Sequence, residues 1–529
     1  MSRGYGKYVS DTLPGYDPII NRMFAPDWSD EEHMEAAVKE MIHRFQHTTQ
    51  THTVDSSVIA SQYIDSLTPE RPVTADDFLE HLMEHVIPYS SKTSSPRFIG
   101  HMTSALPYFV KPLSKLVVAL HQNVVKVETS ATLTFYERQA LGMMHRLVFE
   151  NSEAYYDKHV QNSESTLGVA VSGGTVANLT ALWCARNKAL GPCEGFAGIG
   201  KTGMQAAMRH YGYTEAVVVG SSLMHYSFEK AVDLFGFGEN NLIKVPVDEQ
   251  HRINLNALYE TLFRCQQERK LVVAVIGIAG STESGSIDPL QEISALCRRF
   301  QTHFHVDAAW GGPLLFSSRY RDKLIGLSSA DSVTIDGHKQ FYLPMGLGMV
   351  LFKDQSAAKT IEKDARYIIR KGSLDLGKRS LEGSRPGNTL LLHAALQMIG
   401  KRGYESLIDY GMYNVNYMVE SIQARKEFEL LIQPQTNIIL YRYIPVAYRE
   451  KAVNKSLTEA ENKMINAFNE ELQSMQLRAG QTFVSRTTVL SNQQEPIVAL
   501  RAVISNPLTT GNDIDAVLDE QAKIAQFLT

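Results

Sequence analysis

Residues 330–339 read ADSVTIDGHK, and residues 305–312, upstream of them, read HVDAAWGG. Each stretch contains a short run of apolar and β-branched residues that leads to charged side chains, Asp307 in one and His338 with Lys339 in the other. Such a run is typical of a strand that is buried on both faces of a parallel sheet. We therefore expect two strands that carry an aspartate and a lysine to the edge of the sheet where ligands bind.

The same strand pattern recurs between residues 96 and 395, where short apolar runs such as Gly168–Val171 and Ala216–Val219 alternate with helical patterns. This alternation predicts an α/β domain with a mainly parallel, helix-covered sheet. Residues 1–95 show helical patterns separated by breakers, and residues 396–529 mix helices with strands. We predict a helical N-terminal segment, a large domain and a small α+β domain, because 529 residues exceed one ordinary core.

The composition favours a soluble globular protein with small-molecule partners. Hydrophobic residues make up 44% and charged residues 21%, and the net charge of −5 gives no basic field for nucleic acid or anionic lipid. The four cysteines lack CxxC spacing, so we expect neither a zinc site nor a disulfide framework. We find neither a signal-peptide pattern nor an apolar run long enough to cross a bilayer, and expect a cytoplasmic protein.

The lysine and the aspartate suit an enzyme that holds an aldehyde cofactor from both sides. Small and apolar residues follow Lys339 and disfavour its charged form, which helps an amine attack an aldehyde. A carboxylate at Asp307 is costly beside an apolar strand unless it meets a cation, and a protonated pyridine nitrogen is such a partner. Ala308 and Ala309 leave room for a flat ring. These features predict pyridoxal phosphate chemistry, although an isolated lysine or aspartate is more often a surface or turn residue.

A glycine turn and a histidine support this interpretation. Residues 172–178, SGGTVAN, link a strand to a helix, and the free amides of such a turn bind phosphate. A tight turn without a ligand is the ordinary alternative, and the motif matches neither GxGxxG nor GxxxxGK[ST], which weakens a nucleotide-binding interpretation. His225 follows another strand, where an imidazole can stack on a planar ring, although a lone histidine there is more often structural.

Together these residues resemble the group II pyridoxal-phosphate-dependent amino-acid decarboxylases, over most of the chain after about residue 95. The resemblance implies the aminotransferase-like fold, fold type I, with a seven-stranded and mainly parallel sheet. It implies three catalytic residues: Lys339 forms the imine, Asp307 faces the pyridinium nitrogen, and His225 stacks on the ring. The cofactor-binding residues predicted in this way are Gly174, Thr175, Asn178, His225, Ser281, Asp307, Ala309, Thr334, His338 and Lys339, and no metal is expected.

Arg501 matches an arginine with which the glutamate-type enzymes of this family hold a substrate carboxylate. A guanidinium binds a carboxylate in a two-pronged pair, so its presence favours an acidic over an aromatic substrate. An exposed arginine on a strand is the ordinary alternative. The segment Phe98–Ser104 resembles the loop that walls the substrate pocket, and Thr103 and Ser104 are its predicted substrate contacts.

The stretches 336–342 and 383–387 are most similar to the bacterial aspartate 1-decarboxylases of the family, which make β-alanine. We therefore predict decarboxylation of L-aspartate. L-Glutamate and cysteine sulfinate are alternatives, since one methylene typically changes discrimination by only about 1–3 kcal/mol.

The sequence departs from the family in one respect. Family members often carry a mobile loop whose tyrosine protonates the product carbanion, whereas the corresponding stretch here, Lys371–Lys378, has no tyrosine. Tyr367 lies nearby, but neither it nor His225 is assigned as the proton donor.

Three alternatives stay open: another lyase or desulfurase on the same fold, a nucleotide-binding α/β enzyme, and a cofactor-binding regulatory protein without turnover. The resemblance also implies a homodimer with shared active sites and an N-terminal exchange arm.

Overall fold

The computed structural model describes residues 23, 28–47, 56–363, 372–490 and 495–528. Tyr367 and Lys371 lie outside these residues. The chain forms two compact units, residues 1–93 with 474–483 and residues 94–473 with 484–529. Among the described residues, no helix is both long and apolar enough to span a membrane.

The N-terminal part of the first unit contains helices separated by non-helical segments such as residues 62–73. It contains helices α1 (Trp28–His47), α2 (Ser56–Ser61) and α3 (Ala75–His81), followed by a π-helical turn (Leu82–Val86) and a 3-10 turn (Ile87–Tyr89). Thr74 caps α3: its hydroxyl accepts a hydrogen bond from the backbone N–H of Asp77, whose carboxylate accepts one from the backbone N–H of Thr74. This reciprocal pair satisfies two amides that a helix start leaves free.

The second unit begins with the elements that build the larger sheet. In chain order they are α4 (Val110–Leu120), α5 (Thr132–Phe149), α6 (Glu153–His159), β1 (Gly168–Val171), α7 (Gly174–Ala189), α8 (Ile199–Thr202), α9 (Met204–Tyr211), β2 (Ala216–Ser221), α10 (Ser227–Leu234), β3 (Leu242–Val245), α11 (Leu255–Gln267), β4 (Leu271–Ile278), α12 (Leu290–Phe300), β5 (His303–Asp307), β6 (Ser332–Asp336) and β7 (Gly348–Phe352).

The elements after β7 mix helices with short strands. They are α13 (Thr389–Met398), α14 (Gly400–Ala424), β8 (Phe428–Leu430), β9 (Ile438–Tyr443), α15 (Arg449–Val453), α16 (Glu459–Ala479), β10 (Ser485–Leu490), β11 (Pro496–Val503) and α17 (Gly511–Leu528).

The larger sheet has seven strands in the order β1-β7-β6-β5-β4-β2-β3. Strand β7 pairs antiparallel with both of its neighbours, and the remaining strand pairs are parallel. The predicted seven-stranded, mainly parallel sheet is therefore confirmed. The runs predicted as strands at 168–171 and 216–219 form β1 and most of β2.

Helices cover both faces of this sheet, and the side chains of β2 show why. Val217 and Val219 pack into a core with α5, α11 and α12, whereas Ala216 and Val218 pack into a second core with α7, α9 and α10. Successive side chains of a strand point to opposite faces, so a continuous apolar run buries both faces. This explains why the strands lack the alternation of a half-exposed sheet.

A smaller antiparallel sheet follows, in the order β10-β11-β9-β8. Two contacts connect its end to the segment that enters the second unit: the Val503 backbone N–H donates to the carbonyl of Ile99 at 2.6 Å, and the Asn506 amide donates to the carbonyl of Ser95 at 3.0 Å. This sheet therefore belongs to the same compact unit as the larger one. The division of the chain at residues 95 and 395 stays a prediction.

The register of the larger sheet places the ends of β1, β5 and β6 side by side, next to the start of β7. Asp307 at the end of β5 pairs with Thr334 on β6, and Asp336 at the end of β6 pairs with Gly348 on β7. Gly348 in turn pairs with Val171, the last residue of β1. The turn after β1 and the residues after β5 and β6 therefore meet at one edge of the sheet, as expected from the sequence.

A buried ion pair fastens α5 to the turn before α13. Arg385 donates hydrogen bonds to both carboxylate oxygens of Glu137, and the hydroxyl of Thr389 adds another at 3.0 Å. The side chain of Glu137 is 1% exposed and that of Arg385 is 11% exposed. Removing one partner of such a pair leaves an uncompensated buried charge, which is strongly destabilising.

We predict that Glu137→Gln lowers the free energy of unfolding by about 3–5 kcal/mol, because it leaves the buried Arg385 cation without a carboxylate partner. Urea unfolding followed by far-UV circular dichroism measures this change. Glu153→Gln is the matched control, since Glu153 pairs with Arg146 at an exposed position and its side chain is 73% exposed. Equal unfolding midpoints for the two variants would contradict a structural role for the buried pair.

Candidate active site

The predicted site residues, except Thr334 and Ser104, line one cavity of about 480 Å³. The cavity lies where the ends of β1, β5 and β6 meet, beside Arg501 of β11. Thr334 is fully buried in β6, and its hydroxyl lies 3.5 Å from Nε2 of His305. The predicted site residues that line the cavity are Thr103, Gly174, Thr175, Asn178, His225, Ser281, Asp307, Ala309, His338, Lys339 and Arg501.

The glycine turn connects β1 to the first turn of α7, which begins at Gly174. A Cβ atom at Gly174 would lie 2.9 Å from Oδ2 of Asp336, and one at Gly348 would lie 2.6 Å from Oδ1 of the same carboxylate. Glycine is therefore required for the close approach of the turn to the end of β6. The free amides at the start of α7 form an anion-binding site, which suits a phosphate group.

Lys339 has an anionic partner that the sequence interpretation missed. Its Nζ lies 3.1 Å from Oδ2 of Asp336, whose side chain is 3% exposed, and Nε2 of His338 lies 3.6 Å from the same oxygen. The expectation of purely apolar surroundings for the lysine was therefore incomplete. The i,i+3 spacing of Asp336 and Lys339 was the available signal, but a strand-end carboxylate more often faces solvent.

Asp307 is half-buried at the end of β5 and accepts one hydrogen bond on each oxygen. The amide nitrogen of Asn178 donates to Oδ2 at 2.9 Å, and the backbone N–H of Ala309 donates to Oδ1 at 3.1 Å. A carboxylate accepts up to about four hydrogen bonds, so Asp307 retains acceptor capacity for a protonated ring nitrogen.

His225 lies between β2 and α10, half-buried in the cavity wall. Its Nδ1 lies 2.9 Å from the hydroxyl of Ser227 and accepts a hydrogen bond from the backbone N–H of Ser227 at 3.2 Å. Burial lowers the pKa of His225, and the nearby carboxylate of Asp307 opposes that shift. A neutral imidazole suits stacking on a flat aromatic ring.

Ser281 lines the cavity, but its hydroxyl is engaged within its own turn. It lies 2.8 Å from the hydroxyl of Ser284 and 3.0 Å from that of Ser286, and all three residues are buried. The cluster holds the turn after β4 in a fixed shape beside the cavity.

Arg501 is 7% exposed and is held by three acceptors: the carbonyls of Thr282 at 2.8 Å and Gly100 at 3.4 Å, and the hydroxyl of Ser485 at 3.2 Å. Its remaining nitrogen, NH2, is buried without a partner among the described residues. Burial lowers the pKa of Arg501 to about 10, so the guanidinium stays charged at neutral pH. The side chain thus presents an unpaired cationic donor beside the cavity.

Two further cavity residues carry polar atoms without a partner among the described residues, Nε1 of Trp310 and Oδ1 of Asp336. A buried polar atom without a hydrogen bond costs free energy, which a bound ligand can recover. The cavity thus combines a lysine amine, a carboxylate with spare acceptor capacity, a helix start and unpaired donors. This set fits pyridoxal phosphate, whose aldehyde, ring nitrogen and phosphate require those partners.

Comparison with known proteins agrees with this geometry. The pyridoxal-dependent decarboxylase conserved domain matches residues 60–444. The chain is 43% identical to the aspartate 1-decarboxylase of Aliivibrio fischeri, over 88% of this chain and 86% of that protein. It is 27% identical to the L-2,4-diaminobutyrate decarboxylase of Acinetobacter baumannii, over 70% and 71% of the two chains. The crystal structure of mouse CSAD superposes with a TM-score of 0.82 at 23% identity, over 94% of this chain and 99% of that one, and so shows the same fold.

The chain belongs to the pyridoxal-dependent decarboxylase family. It is a pyridoxal-phosphate-dependent amino-acid decarboxylase with the α/β fold of that family, so the predicted family, fold class, reaction and cofactor are confirmed. The individual roles of the cavity residues stay predictions.

We predict that Gly174→Ala weakens pyridoxal phosphate binding about tenfold, because the new Cβ forces apart the glycine turn and Asp336. Fluorescence titration of the cofactor-free protein gives the dissociation constant. Gly200→Ala is the control, since a Cβ there meets no atom closer than Nζ of Lys363 at 4.0 Å. A dissociation constant unchanged in both variants would show that the turn is not part of the cofactor site.

Proposed function

We propose that this protein converts L-aspartate to β-alanine and carbon dioxide. The observation that carries the proposal is Arg501, a buried guanidinium that lines the same cavity as Lys339 and whose NH2 nitrogen lacks a partner among the described residues. A second carboxylate on the substrate supplies an anionic acceptor for this free nitrogen. The likeness to an aspartate 1-decarboxylase at 43% identity supports the same substrate.

Within this proposal Lys339 bonds to the cofactor aldehyde and Asp307 holds a proton on the ring nitrogen. His225 stacks on the ring, and Ala309 leaves space for it. The phosphate and ring are held by the remaining predicted contacts, which are Gly174, Thr175, Asn178, Ser281, Thr334 and His338. Thr334 acts indirectly in this scheme, because it is fully buried and does not line the cavity.

Bound pyridoxal phosphate supplies an electron-accepting ring for the electron pair left when the α-carboxylate departs as carbon dioxide. The chain's own contribution is to decide which bond at the α-carbon breaks. Arg501 holds the side-chain carboxylate from one wall of the cavity, which fixes the orientation of the α-carbon. Thr103 and Ser104 are the proposed contacts from the loop that leads into the second unit.

L-Glutamate and cysteine sulfinate are the alternative substrates, because both carry a second acid group that Arg501 can bind. One methylene changes discrimination by only about 1–3 kcal/mol, so a product assay must separate aspartate from glutamate. A regulatory protein that binds the cofactor without turnover is the alternative of a different class, and any measured carbon dioxide release excludes it.

Three wider features belong to the same proposal. The chain divides into a helical segment (1–95), a large cofactor domain (96–395) and a small domain (396–529). It forms a homodimer with shared active sites, and it works in the cytoplasm.

We predict that Lys339→Ala abolishes the visible absorption of the cofactor-loaded protein and lowers turnover at least about a thousandfold, because no other amine takes its place. Absorption spectroscopy and borohydride reduction followed by peptide mapping measure the bond to Lys339. Lys353→Ala, at an exposed position after β7, is the control. Undiminished turnover in the Lys339 variant would end this assignment.

We predict that Arg501→Met lowers kcat/KM for aspartate about 10- to 100-fold while the visible absorption persists, because a charge-assisted hydrogen bond to the substrate is lost. Steady-state kinetics with aspartate and glutamate measure the effect. Arg486→Met, on the exposed side of the neighbouring strand β10, is the matched control. Kinetics that stay at wild-type values for both substrates would refute the specificity argument.

A further inference from the structure

A chain of buried hydrogen bonds links the carboxylate of Asp307 to the imidazole of His225. Asn178 stands at its centre: its Nδ2 lies 2.9 Å from Oδ2 of Asp307 and 3.1 Å from the hydroxyl of Ser227, and its Oδ1 lies 3.0 Å from Nε2 of His305. Asn178 is 1% exposed, and Ser227 and His305 are fully buried. Water therefore does not compete for these bonds.

The direction of the bonds on the Asp307 side follows from the chemistry of the groups. An ionised carboxylate oxygen only accepts, so the amide nitrogen of Asn178 faces Asp307 and its oxygen faces His305. His305 must then carry its hydrogen on Nε2. Burial lowers the pKa of His305 to about 3, so the ring is neutral and its Nδ1 accepts from the hydroxyl of Ser332 at 2.8 Å.

The bonds on the His225 side are directed in the same way. The second amide hydrogen of Asn178 occupies an acceptor site on the hydroxyl of Ser227, and the hydrogen of that hydroxyl points to Nδ1 of His225. The backbone N–H of Ser227 also donates to this Nδ1. A nitrogen that accepts two hydrogen bonds carries no hydrogen, so neutral His225 has its hydrogen on Nε2.

We propose that Asn178, supported by His305, is a positioning residue that couples the two sides of the cofactor site. It holds Asp307 as an acceptor for the ring nitrogen, and through Ser227 it fixes His225 as the Nε2–H tautomer. His225 then presents a neutral hydrogen-bond donor to an oxygen of the bound cofactor or substrate. The inference rests on the proposed function, because it assumes that the ring nitrogen faces Asp307 and that His225 stacks on the ring.

The charged groups that act on His225 come from several elements. Asp307 at the end of β5 and Asp336 at the end of β6 favour its protonation, whereas Lys339 after β6 and Lys230 on α10 oppose it. These contributions partly cancel, and the two donors of Ser227 favour the neutral ring with its hydrogen on Nε2. Without the hydroxyl only the backbone N–H of Ser227 still donates to Nδ1, so the neutral ring is less stabilised.

The first test measures the dissociation constant of pyridoxal phosphate for the cofactor-free protein by fluorescence titration. Asn178→Asp should raise it about 10- to 100-fold, because a donor to a charged acceptor is replaced by a second carboxylate. His305→Leu should also weaken binding, and His305→Gln, which keeps a neutral donor, should recover most of the loss. Equal affinity in Asn178→Asp and wild type, or no recovery in His305→Gln, overturns the proposal. Circular dichroism establishes that each variant is folded.

The second test follows the titration of His225 itself in protein labelled with carbon-13 at the histidine Cε1 position, with His225→Gln used to assign the signal. In Ser227→Ala the pKa of His225 should rise by about 0.5–1 unit, the equivalent of one neutral hydrogen bond. An unchanged titration overturns the tautomer assignment. If wild-type protein shows neither cofactor binding nor the bond to Lys339, the proposed function fails instead, so the two failures are distinguishable.

Discussion

The active site depends on how closely three strand ends approach one another at one edge of the larger sheet. The carboxylate of Asp336 is wedged between the turn that follows β1 and the first residue of β7, where only glycines at 174 and 348 leave space for it. Within this narrow space its Oδ2 lies 3.1 Å from Nζ of Lys339. The parallel strands β5 and β6 and the antiparallel strand β7 meet at this edge.

The two carboxylates of the site have different partners, and this difference separates their roles. Asp336 faces the side chains of Lys339 and His338. Asp307 receives neutral donors, the amide of Asn178 and a backbone N–H. Neutral donors orient a carboxylate without cancelling its charge, which suits Asp307 to its proposed role of facing a protonated ring nitrogen. Asp336 thus lies beside the lysine amine, whereas Asp307 accepts from neutral donors.

The sequence predicted those features whose signal lies within a short stretch. Continuous apolar runs identify β1 and most of β2 without any knowledge of their neighbours, and strand-end positions led to Asp307 and Lys339, which both line the cavity. The features that it missed depend on side-chain contacts, some within one turn, such as that of Asp336 with Lys339, and others between distant stretches. Asn178 and His305 are separated by 127 positions, and their bond depends on the packing of α7 against the sheet. The bond between Asn437 and Gln340, which are 97 positions apart, is equally invisible in the sequence.

The burial of Arg501 explains how one side chain can hold the cavity wall together and, in the proposed function, also select the substrate. Its three carbonyl and hydroxyl acceptors are neutral and come from the cavity loop, the turn after β4 and the neighbouring strand β10. They fix the guanidinium through neutral atoms. Burial lowers its pKa to about 10, and the nearby carboxylate of Glu283 opposes that shift. A buried cation with incomplete hydrogen bonding is costly to the protein by itself. In the proposed function, an acidic side chain on the substrate completes the hydrogen bonding of NH2, whereas an aromatic side chain would place an apolar surface against that nitrogen. On that proposal the same arrangement favours an acidic substrate over an aromatic one.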